Sequence, residues 1–295
     1  MGVLKVKHVF IVNVNSNAGK TAERIEEIHG ICRALEVDYE IFTTDQRAST
    51  IDIAKRFKDE FCVVYAVGGD GTINAVLNSI IGGKALLGIV PFGSGNDTYR
   101  TLKEYDKLVT ECNVLKVNDM YCLNIFSTGI DAEICEAADK MKKLKVPRSQ
   151  IYNLGIAYAF FKHKNEPMLV EADNDKYYDP SMTMVTVCNG KFYGHGFEIA
   201  PSADMRTPGA VVYMVAGLKK YQMPVFLKKV INGTHEETDG LVKTTAKTIT
   251  ITSENPVTAN VDGEIIYSDQ FKIDANAGKI KVVQNNRVLN LIRKK

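Results

Sequence analysis

Two apolar runs, each ending in a glycine-rich turn and resuming as a helix, constrain this chain most. Phe61–Val67 is apolar at every position and stops at Gly68-Gly69-Asp70-Gly71-Thr72, after which Ile73, Val76, Leu77 and Ile80 recur at helical spacing. Leu86–Val90 does the same, stopping at Pro91-Phe92-Gly93-Ser94-Gly95-Asn96-Asp97 before a second helix that runs through Leu102. An unbroken apolar run of this length reads as a strand buried on both faces. Upstream, Val9–Val14 and Tyr39–Phe42 read as strands, and Thr21–Leu35 and Ala48–Phe57 as amphipathic helices. Strands alternating with helices imply a parallel sheet covered on both sides. Right-handed crossovers then place the loops that follow the strands along one edge of that sheet.

After about Asn113 the pattern changes. Asp119–Phe126, Pro167–Asp173, Met182–Asn189, Gly209–Val215, Thr245–Thr252, Val257–Val261 and Phe271–Ile273 read as short strands separated by turn residues. Two helices interrupt them, Ser149–His163 and Met223–Ile231. This density of strands predicts an antiparallel sandwich. The expected organisation is therefore an α/β domain over residues 1–120, a β-sandwich domain over residues 121–275, and a C-terminal tail, 276–295, that rejoins the first domain.

Composition narrows the partners. Lys+Arg 37 against Asp+Glu 35 leaves a net charge of +2, so no bulk attraction to nucleic acid is written into the chain and none is expected as a partner. The six cysteines lack C-x-x-C spacing, which fits buried, reduced thiols and a cytoplasmic location. No run approaches the ~20 apolar residues that span a bilayer, so contact with a membrane is expected to be peripheral, at the inner face. Two segments cluster positive charge beside apolar residues. Lys140, Lys142, Lys143, Lys145 and Arg148 precede one helix, and Lys219, Lys220, Lys228 and Lys229 flank the other. Solvated helix faces would look the same.

The glycine turns carry the chemistry. Glycines let backbone N–H groups converge on an anion, and the helix that follows adds a partial positive charge. Thr72 can cap that helix or touch a phosphate oxygen. Neither a Walker A lysine nor a G-x-G-x-x-G fingerprint is present. Asp70 would repel a phosphate unless a divalent cation, or a proton to be removed, lies between them. The second turn adds the side-chain donors Ser94 and Asn96, and Arg100 can pair with Asp97. The loop Asn13-Val14-Asn15-Ser16-Asn17-Ala18-Gly19-Lys20 follows the first strand and belongs on the same edge. Far downstream, Val261-Asp262-Gly263-Glu264 sets two carboxylates around a glycine, as a proton acceptor for a hydroxyl would need and as a plain hairpin turn would also show.

Together, Gly68-Gly69-Asp70-Gly71-Thr72-Ile73-Asn74 and Pro91 through Arg100 resemble the diacylglycerol kinase catalytic domain family, which includes bacterial soluble lipid kinases and sphingosine kinases. Thr128-Gly129-Ile130-Asp131, the stretch from Asn189 to Pro201 and Asp262-Gly263-Glu264 extend the resemblance over nearly the whole chain. The resemblance implies a phosphofructokinase-like α/β domain, a β-sandwich domain, and a cleft between them where ATP and Mg²⁺ support phosphorylation of a lipid hydroxyl presented by a membrane, diacylglycerol to phosphatidic acid foremost. It implies that Asn13, Ser16, Thr43, Thr44, Gly68, Gly69, Asp70, Gly71, Thr72, Asn74, Ser94 and Asn96 line the nucleotide. It further implies that Asp70 organises magnesium and that Glu264 accepts the hydroxyl proton with support from Asp262. The chain departs from the family at Val14 and Asn17, where a proline and a glycine are usual, and at Pro208, where an aspartate contributes to a structural magnesium site. Two rival readings follow: a kinase of a soluble hydroxyl compound such as NAD, and a non-catalytic nucleotide- or lipid-binding regulator. Oligomeric state stays open, with a homodimer compatible.

Overall fold

The computed structural model describes residues 6–17, 19–143 and 148–294, and the side chains of residues 139 and 142–153 lie outside the description. The chain forms two compact units, Met1–Val114 with Gly194–Gly196 and Gly278–Lys295, and Leu115–Tyr193 with Phe197–Ala277.

The first unit is built from β1 (Lys7–Asn13), α1 (Thr21–Ala34), β2 (Tyr39–Thr44), α2 (Arg47–Arg56), β3 (Cys62–Gly68), α3 (Asp70–Ile80), β4 (Leu86–Pro91), α4 (Asp97–Leu102) and the start of β5 (Val109–Val117). The four strands pair in parallel in the order β2-β1-β3-β4, as the alternation of strand and helix predicts. Every residue of β3 is buried, which is why its sequence is unbroken by polar positions. Tyr65 is the one hydroxyl in that run. It stacks on Phe10 at 4.4 Å, and its oxygen meets His8 Nδ1 at 2.8 Å and Asn286 Nδ2 at 2.6 Å, so its burial leaves no orphaned polar atom.

The second unit holds the end of β5, then β6 (Met120–Cys122), β7 (Ile125–Gly129), α5 (Ile130–Lys143), α6 (Arg148–Lys162), β8 (Glu166–Ala172), β9 (Asp175–Cys188), β10 (Phe192–Tyr193), β11 (Phe197–Glu198), β12 (Ala210–Ala216), α7 (Met223–Ile231), β13 (Leu241–Ala246), β14 (Thr248–Val261) and most of β15 (Glu264–Val283). Strands β13-β12-β9-β7-β14-β15 pair in antiparallel order. Strands β7 and β8 share one lane: both pair with β9 on one side and β14 on the other. One sheet face carries a core that includes Val185, Val187, Val212, Met214, Ile249, Ile251, Phe126 and Phe271.

The units depart from the expected boundaries in three places. The first break comes at Val114/Leu115, because β5 belongs partly to each unit, rather than at residue 120. The return comes at Ala277/Gly278, within the long strand β15, whose last residues Val282 and Val283 pair with β4. The rejoining tail ends in α8 (Arg287–Arg293), where Asn286 Oδ1 caps Leu289 N at 2.6 Å and the Arg293 guanidinium donates to Ile89 O at 2.7 Å. Third, Gly194–Gly196, inside the stretch assigned to the second domain, packs with the first unit. The predicted strand Asp119–Phe126 is broken at Leu123-Asn124, whose amides turn toward Asp262. Helices α5 and α8 fall where no helix was read from the spacing.

Candidate active site

In the first unit the strand ends lie level. Asn13 pairs with Thr44, Gly68 pairs with Pro91, and Val12 pairs with Val67 one step before Asn13 and Gly68. The predicted loops therefore share one edge. Asn13 Oδ1 accepts from Asn15 N at 2.9 Å and its Nδ2 donates to Thr72 Oγ1 at 3.2 Å, tying the first loop to the start of α3. Ser16 N donates to Asn13 O at 3.1 Å, and Thr43 is exposed at the end of β2.

The glycines serve the packing of loop on loop. A Cβ on Gly93 would lie 2.4 Å from Gly69 Cα, and one on Gly68 would lie 2.3 Å from Thr72 Oγ1. Gly69 precedes α3 with extended backbone, and its carbonyl receives the amides of Thr72 and Ile73, so the helix opens directly beneath the turn. Asn96 adopts a left-handed φ of 56°, which asparagine tolerates. Its side chain closes on its own loop, accepting from Gly93 N at 3.0 Å and donating to Gly93 O at 2.9 Å.

Asp70 stands at the first turn of α3, where the helix dipole favours a carboxylate. Its Oδ1 accepts from Thr98 N at 3.0 Å and its Oδ2 from Asp97 N at 3.3 Å, so the carboxylate also covers the amides that open α4. Beside it lies Asp97, only 7 % exposed, whose Oδ2 accepts from His195 N at 3.0 Å and whose Oδ1 has Arg100 Nε at 3.7 Å. Burial, and then the Asp70 charge, raise the Asp97 carboxyl from 3.8 to about 6; the amides of His195 and Gly196 and the charge on Arg100 pull the other way. A carboxylate oriented by two amides, next to a second carboxyl, suits a cation that takes one or two carboxylates and fills its remaining positions with phosphate and water. The residues present fit magnesium and a nucleotide phosphate on this edge.

Three more candidates have their side chains engaged within the protein. Asn74 is fully buried, and its Oδ1 accepts from Arg47 Nη2 at 2.7 Å. Thr44 Oγ1 meets Thr50 Oγ1 at 2.9 Å. Asn96 is folded back as described. They shape the edge from beneath, while Ser94 is exposed at the tip of its loop. Arg47, which also donates to Gly71 O at 3.2 Å, was not singled out from the sequence, because a lone arginine in an amphipathic helix carries no signal. Asp97 was read only as a partner for Arg100; its clamp by the amide of His195 could not be seen across 98 residues.

In the second unit, Asp262 (φ 48°) and Gly263 (φ 97°) form the two-residue turn joining β14 to β15, with Val261 paired to Glu264. The Asp262 carboxylate faces inward. It accepts from Leu123 N at 2.6 Å, Asn124 N at 3.0 Å, Ile125 N at 3.0 Å and Cys122 Sγ at 3.2 Å. Asp262 thus anchors the break between β6 and β7 and holds the turn that presents Glu264. Asn260 Oδ1 accepts from Gly263 N at 2.9 Å on the same turn.

A pocket of about 810 Å³, part of it open to solvent, opens in this unit against the sheet face opposite the core. Thr186 and Tyr213 line it from the sheet, Ile130, Asp131 and Ile134 from α5, and Phe226, Leu227 and Val230 from α7. Nearly all of its lining is apolar. Asp131, Thr186 and His235 also line it, and each has a buried polar atom with no hydrogen-bond partner among the described residues.

Comparison with known proteins agrees with this architecture. Residues 7–124 match the diacylglycerol kinase catalytic domain, and residues 124–284 match the YegS C-terminal NAD kinase beta sandwich-like domain. The chain belongs to the family that carries these two domains in this order. Its relatives include a protein of Staphylococcus aureus (strain Mu3 / ATCC 700698) named "Putative lipid kinase", 24% identical with 95% of each chain covered. Similar folds include two structures from Bacillus anthracis str. Sterne, both titled as a "putative diacylglycerol kinase". One has a TM-score of 0.75 at 20% identity, covering 97% of this chain and 99% of that one. The other has a TM-score of 0.74 at 21% identity, covering 96% and 99%. The expected α/β domain with a β-sandwich domain is therefore the fold of this family member, and its chemistry is that of a kinase family.

Proposed function

We propose that this protein is an ATP- and Mg²⁺-dependent lipid kinase that phosphorylates the free hydroxyl of an acylated lipid, with diacylglycerol the first candidate and phosphatidic acid its product. The apolar pocket of the second unit carries the reading, since a soluble acceptor such as NAD would need a lining rich in hydrogen-bonding groups. The glycine edge of the first unit holds the nucleotide phosphates through backbone amides, and Asp70 supplies a carboxylate for the cation. Magnesium, when bound, neutralises charge on the transferring phosphoryl group. Glu264 accepts the proton of the lipid hydroxyl, and Asp262 holds the turn that aims it. Phosphoryl transfer needs mainly positioning and charge neutralisation, so this small set of groups suffices.

The substrate lies in a membrane, and the surface near the pocket suits a peripheral visit. Helix α7 turns Phe226, Leu227 and Val230 to the pocket while Val225 and Ile231 are exposed. Exposed Phe161 and Tyr158 of α6 lie nearby, since Lys220 Nζ donates to Phe161 O at 2.7 Å. With Lys219, Lys220 and Lys228 exposed as well, this is an apolar patch edged by positive charge, the composition that docks on anionic headgroups. Of the other basic cluster, Lys145 and the side chains of Lys142, Lys143 and Arg148 lie outside the described residues.

The test is phosphorylation of diacylglycerol, and of a total lipid extract, in mixed micelles with labelled ATP and Mg²⁺, the product identified by mass. Asp70→Asn and Glu264→Gln should each lower turnover by about 100-fold or more, the second without shifting the thermal melt. A labelled soluble acceptor with no labelled lipid, or full turnover in both variants, refutes the reading.

A further inference from the structure

The pocket is apolar along most of its wall, yet a hydrogen-bonded thread that starts at the Glu264 turn reaches one of its buried carboxyls, and a second unpartnered polar atom lies on the neighbouring strand. Asn260 pairs with Ser127, Ser127 with Thr186, and Thr186 with Tyr213, so these four side chains share one sheet face on adjacent strands. From the turn, Gly263 N donates to Asn260 Oδ1 at 2.9 Å and Asn260 Nδ2 donates to Tyr193 Oη at 2.7 Å. Tyr193 Oη meets Ser127 Oγ at 3.2 Å, and the Ser127 hydroxyl hydrogen-bonds the Asp131 carboxyl. The thread ends there. Asp131 Oδ1 is buried and unpartnered, so the bonds from Ser127 and from the Ala132 amide fall on Oδ2. One strand over, Thr186 is fully buried with its Oγ1 unpartnered.

A carboxyl that accepts two hydrogen bonds on one oxygen carries its proton, when neutral, on the other. Burial raises Asp131 to about 7, so the neutral acid is well populated near neutrality. Oδ1–H of Asp131 and Oγ1–H of Thr186 are then two donors in a mostly apolar wall, whose third unpartnered buried polar atom is His235 Nδ1. Their complement is a ligand acceptor that brings no proton of its own. In an acylglycerol that acceptor is the ester carbonyl, a few bonds from the free hydroxyl, and the Ser127 strand is about 5 Å from the Asn260 strand that carries the turn.

We infer that Asp131 and Thr186 are specificity residues that donate hydrogen bonds to an ester carbonyl of the acceptor lipid, so that the enzyme selects acyl esters over ether-linked or plain long-chain alcohols. The inference rests on the lipid-kinase reading and deepens it. Both residues act on how the lipid sits; neither touches the transferred phosphoryl group.

The experiment compares 1,2-diacylglycerol with the 1,2-dialkyl ether of the same chain length, which keeps the hydroxyl and lacks both carbonyls. Turnover is measured in mixed micelles, and binding as the lipid-induced rise in melting temperature. Wild type should favour the ester about tenfold or more in kcat/KM, chiefly through KM, as two lost hydrogen bonds imply. Asp131→Asn, whose amide donates permanently, should keep the preference. Asp131→Leu with Thr186→Val should reduce it to within about twofold of unity. Equal use of the two lipids by wild type, or an equal loss on both in the double variant, overturns the inference. If wild type phosphorylates neither lipid, the kinase reading fails, and the binding comparison still decides: a larger melting shift with ester than with ether supports ester recognition, and equal shifts overturn it.

Discussion

Replacing Asp97 by asparagine should make the protein more stable at neutral pH, and the advantage should shrink in acid. In the folded chain the carboxyl is 7 % exposed and faces Asp70, and it titrates near 6 instead of 3.8. The folded state therefore holds this proton more tightly than the unfolded chain does. Stability falls as pH rises through the window from 3.8 to about 6, and the full penalty is present above it. With those two values the linkage relation gives a penalty of about 3 kcal/mol at pH 7 and about 1 kcal/mol at pH 4.5. Asparagine is neutral throughout and keeps an oxygen for the His195 amide. Urea unfolding of both proteins at pH 7 and pH 4.5 tests the argument: the midpoint gain of Asp97→Asn should be large at pH 7 and about a third as large at pH 4.5. A gain of the same size at both values, or a loss at pH 7, would show that the carboxyl is not held against its charge. A group that costs the fold this much and stands beside Asp70 is what a cation-holding site is expected to contain.

Two further outcomes separate anchoring from chemistry. Asp262→Ala strips the acceptor from the amides of Leu123, Asn124 and Ile125, and should cost at least about 3 kcal/mol, read as a drop in melting temperature, whereas Glu264→Gln next to it should leave the melt unchanged. Reversing charge at Lys219, Lys220, Lys228 and Lys229 should lower co-sedimentation with anionic liposomes by tenfold or more at low salt, each lysine near the surface contributing about 1 kcal/mol; unchanged co-sedimentation would remove α7 from the membrane surface.

The α/β half was legible in the chain because its signals are local. Strand β3 is apolar at every position since both faces are buried, and Gly68 through Thr72 sits at a strand end that opens a helix, so its place on the sheet edge followed from connectivity alone. The antiparallel half was legible as a class. Its strand breaks were not, because the interruption at Leu123-Asn124 is made by a carboxylate from Asp262, far along the chain. Helix α5 was hidden because it begins at Ile130, immediately after β7 ends at Gly129, with no intervening loop to mark its start.

What the amino-acid order determined by itself is therefore the alternation, the glycine turns and the presence of acidic groups in each half. Tertiary structure decided which partners those groups meet. Asp262 and Glu264 look alike in the sequence, yet the first is drawn inward by three amides and a thiol while the second opens strand β15 on the far side of the turn. Asn74 and Asn96 look like ligand contacts and are used within the protein. Asp131 and Thr186 carry no spacing signal, yet both line one pocket, the first from α5 and the second from β9. Local patterns fix backbone conformation, whereas the availability and charge of a side chain depend on partners brought in from distant parts of the chain.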